Sequence, residues 1–268
     1  MTSELTPPPP EGRIRVEQRG ALFLIGIDRP AKLNGFTPQM FEQLSRAFQR
    51  CEDDPGSRVA VLHALGANFS AGLQLDLFEA RLRAGLPLST EGLVDPFQLR
   101  PPLRTKPCVA AMQGICFTVA CELMLASDIV IASEDCRFAQ LEVKRGIFAN
   151  HGATLRMVER AGWGNAMRYL LTGAEFDAHV ALRLGFVQEV VRPGAQLARA
   201  IEIAERIATQ APLAVSATLA NARKSVREGH EAAIADLGHV QSRLIDSEDA
   251  AEGVRSFRER RAAVFKGR

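Results

Sequence analysis

A chain of 268 residues with 47% apolar side chains can build one sizeable α/β core or two small ones, and 33 basic against 31 acidic residues leave a net charge of only +2. That balance excludes the bulk electrostatic attraction behind non-specific binding of nucleic acid or anionic membrane, and no apolar run approaches the roughly 18 residues of a membrane span. The five cysteines, at 51, 108, 116, 121 and 136, are odd in number and include no C-x-x-C pair, which speaks against a disulfide framework or a zinc site and for a reduced, cytoplasmic protein.

Residues 1–12 carry a run of four prolines but no basic-then-apolar leader, and read as a disordered tail. Ile14 and Val16 alternate with polar neighbours up to Arg19-Gly20, and residues 21–27 are apolar, so the chain opens as a hairpin ended by Asp28-Arg29-Pro30. Thr37-Pro38 starts a helix with Met40, Phe41, Leu44 and Phe48 on one face, stopped at Asp53-Asp54-Pro55-Gly56. Residues 59–62 read as a buried strand leading to the loop at Ala71-Gly72, and this strand, helix, strand order points to crossover units. Residues 73–105, broken by Gly85-Leu86-Pro87 and Arg100-Pro101-Pro102, read either as a mobile wall over a pocket or as a plain surface excursion.

The stretch around which the rest is organised follows an apolar strand at 108–112. The chain turns at Gly114 and continues as a helix with Val119, Leu123 and Ala126 on one face and Glu122 in its first turn. The first N–H groups of a helix have no intrahelical partner and lie at the positive end of its dipole, so they can stabilise an oxygen gaining negative charge. A strand at 128–132 and a Ser133-Glu134-Asp135 turn then lead to a second carboxylate, Glu142. Taken alone, each glutamate reads as an ordinary helix-dipole or loop acid. Residues 152–160 and 165–171 look helical, joined at Gly162-Trp163-Gly164 with Trp163 packed as the connector, and from residue 195 only helices follow, the last at 248–261. The histidines at 63, 151, 179, 230 and 239 have no metal-ligand spacing, so no metal site is expected, and Cys121 reads as a small apolar helix residue.

Three ordered motifs carry a resemblance. Asn68-Phe69-Ser70-Ala71-Gly72-Leu73, Phe117-Thr118-Val119-Ala120-Cys121-Glu122 and Phe138-Ala139-Gln140-Leu141-Glu142 are similar to the Phe-Ser/Ala-Ala-Gly loop, the Phe-Gly-Gly-Gly-Cys-Glu helix start and the Phe-Ala-Gln-Pro-Glu segment of the enoyl-CoA hydratase/isomerase (crotonase) superfamily. The likeness runs from about Ile14 to the C-terminus. It implies an α/β fold, a crotonase-like spiral of repeated ββα units over residues 13–194, followed by a C-terminal all-helical trimerisation region over 195–268. It further implies an enoyl-CoA hydratase acting by syn addition of water to a 2-enoyl-CoA, with Glu122 as base on the water and Glu142 holding that water and protonating the α-carbon. The backbone N–H groups of Leu73 and Val119 would form the oxyanion hole. Coenzyme A would arrive as part of the acyl-CoA substrate, with no further cofactor, and the partner would be a second and third copy of the chain, as a homotrimer or a dimer of trimers.

For the coenzyme A moiety the resemblance suggests Arg29 and Lys32, which read equally well as solvated loop charges, together with Ala71 and a tail pair, Phe265-Lys266, that reaches a neighbouring subunit's site. The basic cluster of Arg255, Arg258, Arg260, Arg261, Lys266 and Arg268 is either part of that contact or a solvated helix face. An isomerase, another acyl-CoA lyase or hydrolase, or a catalytically silent CoA- or RNA-binding protein are the alternatives. The paired glutamates favour hydration, and the even charge without an aromatic, lysine-rich stripe counts against RNA. Thr118-Val119-Ala120 replaces three glycines, Leu141 a proline, Gln74 an aspartate, and Ala149-Asn150-His151-Gly152-Ala153 a Pro-Gly-Ala-Gly-Gly loop. His151 could contact an unusual substrate, although a loop side chain without a chemical role is the favoured reading.

Overall fold

The computed structural model describes residues 9–268, so residues 1–8 of the expected tail lie outside the described part. From Pro9 the chain is built into the fold: Gly12 N–H donates to Pro9 O, and the carbonyls of Pro10 and Glu11 accept from the Arg29 side chain and the Thr37 hydroxyl. Residues 9–12, expected as part of a tail, are therefore held by the fold. β1 (Arg13–Arg19) and β2 (Leu22–Asp28) form the expected antiparallel hairpin, with Arg13 opposite Asp28 and Arg19 opposite Leu22. α1 (Pro38–Asp53) starts where its signals put it: Thr37 Oγ1 accepts from Met40 N–H at 3.3 Å, and Met40, Phe41, Leu44 and Phe48 are buried.

β3 (Val59–Ala64), α2 (Glu79–Arg83), β4 (Cys108–Met112), β5 (Ile115–Phe117), α3 (Val119–Ala126), β6 (Ile129–Ser133) and β7 (Arg137–Ala139) come next. α4 (Ala153–Ala161), α5 (Trp163–Thr172), β8 (Phe176–Asp177), α6 (Ala178–Arg183) and β9 (Glu189–Val191) follow, and α7 (Gln196–Ala208), α8 (Pro212–Glu228), α9 (His230–Ile245) and α10 (Glu248–Glu259) end the chain. The larger sheet has the order β1-β2-β3-β4-β6-β9, parallel except for β1, and the smaller has the order β5-β7-β8, extended by a bridge from Ser70 to Cys116. Parallel neighbours cannot be joined by tight turns, so the chain must cross over between them. It does so by laying one strand in each sheet per pass, β4 then β5 then α3, β6 then β7, which is a spiral of ββα repeats.

A mostly parallel sheet needs cover on both faces, and β2 is buried throughout. Phe23, Ile25 and Ile27 join the core that contains α1 and α3. Leu22 and Leu24 face the other way, with Val59, Val61, Val109, Ala111 and Ile131, against Ala200 and Ala204 of α7. α7, the first helix of the 195–268 region, therefore closes the second face of the sheet, and α8 follows it. There the character changes: α8 buries no residue and α9 only Ala233, while Val226, Ile234 and Leu237 remain exposed. Arg223 ties α8 to the core by donating to Asp128 Oδ1 at 2.8 Å.

Two local expectations are corrected. Trp163 does not pack as a connector; it is the first residue of α5 and is 72% exposed, because Gly162 alone makes the turn. Residues 73–105 are neither a loose wall nor a mere excursion. Phe78, Leu88, Val94 and Phe97 are buried anchors, and the Asp95 carboxylate accepts from the N–H groups of Phe97, Leu99 and Arg100. All five cysteines are buried and unpaired, and Cys121 Sγ donates to Cys116 O. Among the described residues no helix is long and apolar enough to cross a membrane.

Candidate active site

The site is assembled where three loops meet. Asn34, in a left-handed conformation at φ 53° that its short amide tolerates, is the knot: Oδ1 accepts from Arg29 N–H at 2.7 Å, and Nδ2 donates to the carbonyls of Leu65 and Asn68, both at 2.8 Å. Ser70 Oγ donates back to Asn34 O. Gly114 lets the next strand approach this loop. At φ +53° a Cβ there would fall 2.3 Å from Ala67 O, and with only hydrogens present Asn68 Oδ1 accepts from Ile115 N–H.

The residues that follow these anchors leave two amides free. In the bridge between Phe36 and Leu73, Phe36 N–H donates to Gly72 O and Gln74 N–H donates to Phe36 O, so the Leu73 N–H points away from Phe36. Val119 is the first residue of α3, where no intrahelical acceptor exists. Among the described residues neither N–H has a partner, and both residues line one cleft of about 510 Å³. Between them stands Thr118 at φ 53°, ψ −122°, a conformation suited to glycine.

Glu122 and Glu142 face the same cleft. Glu122 lies in a helix whose eight residues are all buried and is itself 1% exposed. Its Oε1 accepts from His151 N–H at 2.7 Å and Ala153 N–H at 3.2 Å, the amides at the start of α4. Burial pushes its carboxyl up to about 8. The Ala153 and His151 N–H groups oppose that rise, while the Glu142 charge adds to it. Glu142 opens a 3-10 turn after Leu141, is 8% exposed, and is pushed up to about 7 by burial. In the orientation that satisfies its neighbours, the buried Gln140 amide donates to both Glu142 oxygens, at 3.0 and 3.1 Å, and to Thr118 O at 3.2 Å. Near neutral pH the two interacting carboxyls hold about one proton between them, a property of the pair rather than of either residue.

Of the residues expected from the sequence, Glu122, Glu142, Leu73, Val119 and Ala71 come together in this cleft. Arg29, Lys32, Phe265 and Lys266 do not line it. Arg29 is buried, with Nε donating to Pro10 O and Nη1 to Gly35 O, so it holds the loop instead of presenting a free charge. Lys32 is exposed, one residue from Leu33, whose carbonyl accepts from Ala71 N–H. Phe265 O accepts from Arg58, and Lys266 N–H donates to Asp249 at 2.6 Å, which fixes the tail against α10 and the core of its own chain.

The cleft also contains residues to which the sequence assigned little. His151, read as a loop side chain without a role, is 5% exposed, packs against Phe97 with the rings tilted by 45° and their centroids 4.6 Å apart, and brings Nδ1 to 3.7 Å from Glu122 Oε2. Burial pushes its pKa down to about 4, so with Glu122 protonated up to about 8 the contact is not an ion pair over the neutral range. Its position in a departure from the family's loop was the only signal. Asn150, also on the cleft, shares that signal, and Arg145 had none.

This geometry has known counterparts. The profile of the Enoyl-CoA hydratase/isomerase family matches residues 17–268, and the chain belongs to that family. It is 30% identical to enoyl-CoA hydratase EchA19 of Mycobacterium tuberculosis, over 94% of this chain and 96% of that one. To a carnitinyl-CoA dehydratase of Proteus mirabilis it is 32% identical, over 95% and 98%. Among solved structures, a probable enoyl-CoA hydratase/isomerase from Mycobacterium abscessus superimposes with a TM-score of 0.92 at 47% identity, covering 95% of this chain and 98% of that one. The fold is thus the crotonase spiral, and the protein is an enzyme of the crotonase family.

Proposed function

We propose that this protein is an enoyl-CoA hydratase, adding water across the C2=C3 bond of a 2-enoyl-CoA. The observation that carries the reading is the pair of buried carboxyls, Glu122 and Glu142, raised to about 8 and about 7 on a cleft that also holds the two unpartnered N–H groups of Leu73 and Val119. Addition of water puts negative charge on the thioester oxygen, and preorganised donors aimed at that oxygen lower the barrier. One carboxylate takes a proton from water as its oxygen bonds to C3. The other carboxyl gives a proton to C2, and the net addition is balanced without metal or redox partner. A singly protonated pair supplies both groups at once.

An isomerase moves a proton between carbons and needs one such acid, so the second buried glutamate favours hydration. One relative is named a carnitinyl-CoA dehydratase, and loss of water from an acyl-CoA is the reverse of the addition proposed here. The direct test is steady-state loss of the conjugated thioester absorbance of short and medium-chain 2-enoyl-CoAs. Turnover to the 3-hydroxyacyl-CoA is expected; tight acyl-CoA binding with no product from either chain length would refute hydration.

The reading includes a homotrimer or dimer of trimers in solution. It is supported by α8 and α9, which bury only Ala233 between them and leave Val226, Ile234 and Leu237 at 64%, 62% and 53% exposure, apolar side chains that packing against another copy would cover. Light scattering is expected to give three or six times the 29.2 kDa chain mass; a monomer at micromolar concentration would remove this part of the proposal. Lys32, which is exposed, remains a proposed contact to a coenzyme A phosphate in the same subunit, and Phe265 and Lys266 in a neighbouring one, whereas Arg29 acts by holding the loop that carries Lys32.

A further inference from the structure

Thr118 stands at the junction of the two loops that carry the free amides, and its backbone conformation is the outlier of the site. A β-branched residue at φ 53°, ψ −122° is strained, and such strain persists only where the surroundings impose it. Its consequence is visible in Gly72: a Cβ built on that glycine, itself at φ +104°, would fall 2.1 Å from Thr118 Oγ1. The hydroxyl therefore rests directly on the Gly72 backbone. One residue beyond Gly72 is the free N–H of Leu73, and one residue beyond Thr118 is the free N–H of Val119. Thr118 lines the cleft with Leu73, Val119 and Glu122, and its hydroxyl has no hydrogen-bond partner among the described residues, although its carbonyl accepts from Glu122 N–H at 3.2 Å and its N–H donates to Ala139 O at 2.8 Å.

From this geometry we infer that the Thr118 hydroxyl is a third hydrogen-bond donor to the thioester oxygen of bound acyl-CoA, acting beside the N–H groups of Leu73 and Val119. The inference rests on the acyl-CoA reading given above. Backbone fixes the two amides, whereas the hydroxyl proton rotates about its C–O bond and can follow the oxygen as charge develops on it. No bond to Thr118 is made or broken; its part is to hold a proton toward an oxygen that becomes more negative. The glycine at 72 and the strained threonine at 118 form one device, since a side chain at 72 would occupy the place of the hydroxyl.

The experiment uses butyryl-CoA, which cannot be hydrated, labelled at the thioester carbonyl. Its infrared stretch is read when bound to the full-length wild type, Thr118→Val and Thr118→Ser. Valine keeps the branched shape and removes only the donor; serine keeps the donor. The expected result is a carbonyl stretch moved to lower wavenumber in the wild type and in Thr118→Ser, and moved part of the way back in Thr118→Val. With 2-enoyl-CoA, kcat of Thr118→Val falls about 10²-fold with KM little changed, as for loss of a donor used in the transition state. Bound butyryl-CoA with the same stretch in wild type and Thr118→Val overturns the inference, and so does a Thr118→Ser stretch equal to that of valine. Failure of the wild type to bind butyryl-CoA overturns the acyl-CoA reading itself, and the inference with it. Normal binding and carbonyl shifts without hydration would overturn only the hydratase assignment.

Discussion

Replacing Glu122 by Gln is expected to lower kcat for 2-enoyl-CoA hydration about 10³-fold or more, within the ~10²–10⁴ range for removal of a positioned acid or base. The glutamine preserves the shape of the site, because its side-chain oxygen can still accept from the His151 and Ala153 amides. What it loses is the proton. The same substitution separates activity from stability. The Glu122 pKa rises from 4.5 to about 8 in the folded protein, so the folded state binds this proton more tightly than the unfolded chain does. The stability that this contributes is complete below about pH 4.5 and is lost as pH rises through about 8. Glutamine has no such dependence. Relative to wild type, Glu122→Gln should gain on the order of a few kcal/mol between pH 5 and pH 9. Denaturant unfolding at the two pH values reads this directly, and a constant difference would mean that Glu122 is ionised without penalty in the fold.

Glu142→Gln is the second large effect, again about 10²–10⁴-fold in kcat/KM, and its diagnostic is the pH profile. In the wild type the working form has one proton on the pair. Activity should therefore rise as the first carboxyl ionises near 7 and fall as the second ionises near 8, giving a narrow bell with both limbs close to neutrality. Without Glu142 only the ionisation of Glu122 remains, and the residual activity should follow a single rising limb. That limb should lie at lower pH than the Glu122 value in the wild type, because the Glu142 charge that helps to hold the Glu122 proton is gone. A variant that retains the full rate and the bell would remove Glu142 from the chemistry.

The hydratase reading also accounts for what surrounds these acids. His151 packs against Phe97 with the rings tilted and lies beside Glu122 as a neutral ring, which adds cover without adding charge. Burial by all the elements packed around it is the first cause of the raised Glu122 pKa. The site therefore depends on a loop in which the chain departs from its family as well as on the motifs in which it agrees.

Local order was legible in the sequence wherever short-range chemistry decides. Alternation and a turn specified the β1–β2 hairpin, Thr37-Pro38 the start of α1, and the apolar run at 108–112 with Gly114 the approach to α3. The ordered motifs around Gly72, Glu122 and Glu142 identified the candidate site, since two carboxylates and two helix- or loop-borne amides keep their spacing along the chain. Contacts between segments distant in sequence were not legible. That α7 covers the second face of the large sheet follows from Leu22, Leu24, Val109 and Ile131 needing an apolar partner, and composition cannot say which helix supplies it. Trp163 is exposed and His151 buried, the reverse of what their neighbours in sequence suggested, because burial is set by what packs across space. The carboxyl pKa values belong to the same class. The glutamates are present in the sequence, but the desolvation that brings their protons near neutral pH exists only once α3, α4 and the 73–105 segment have closed around them.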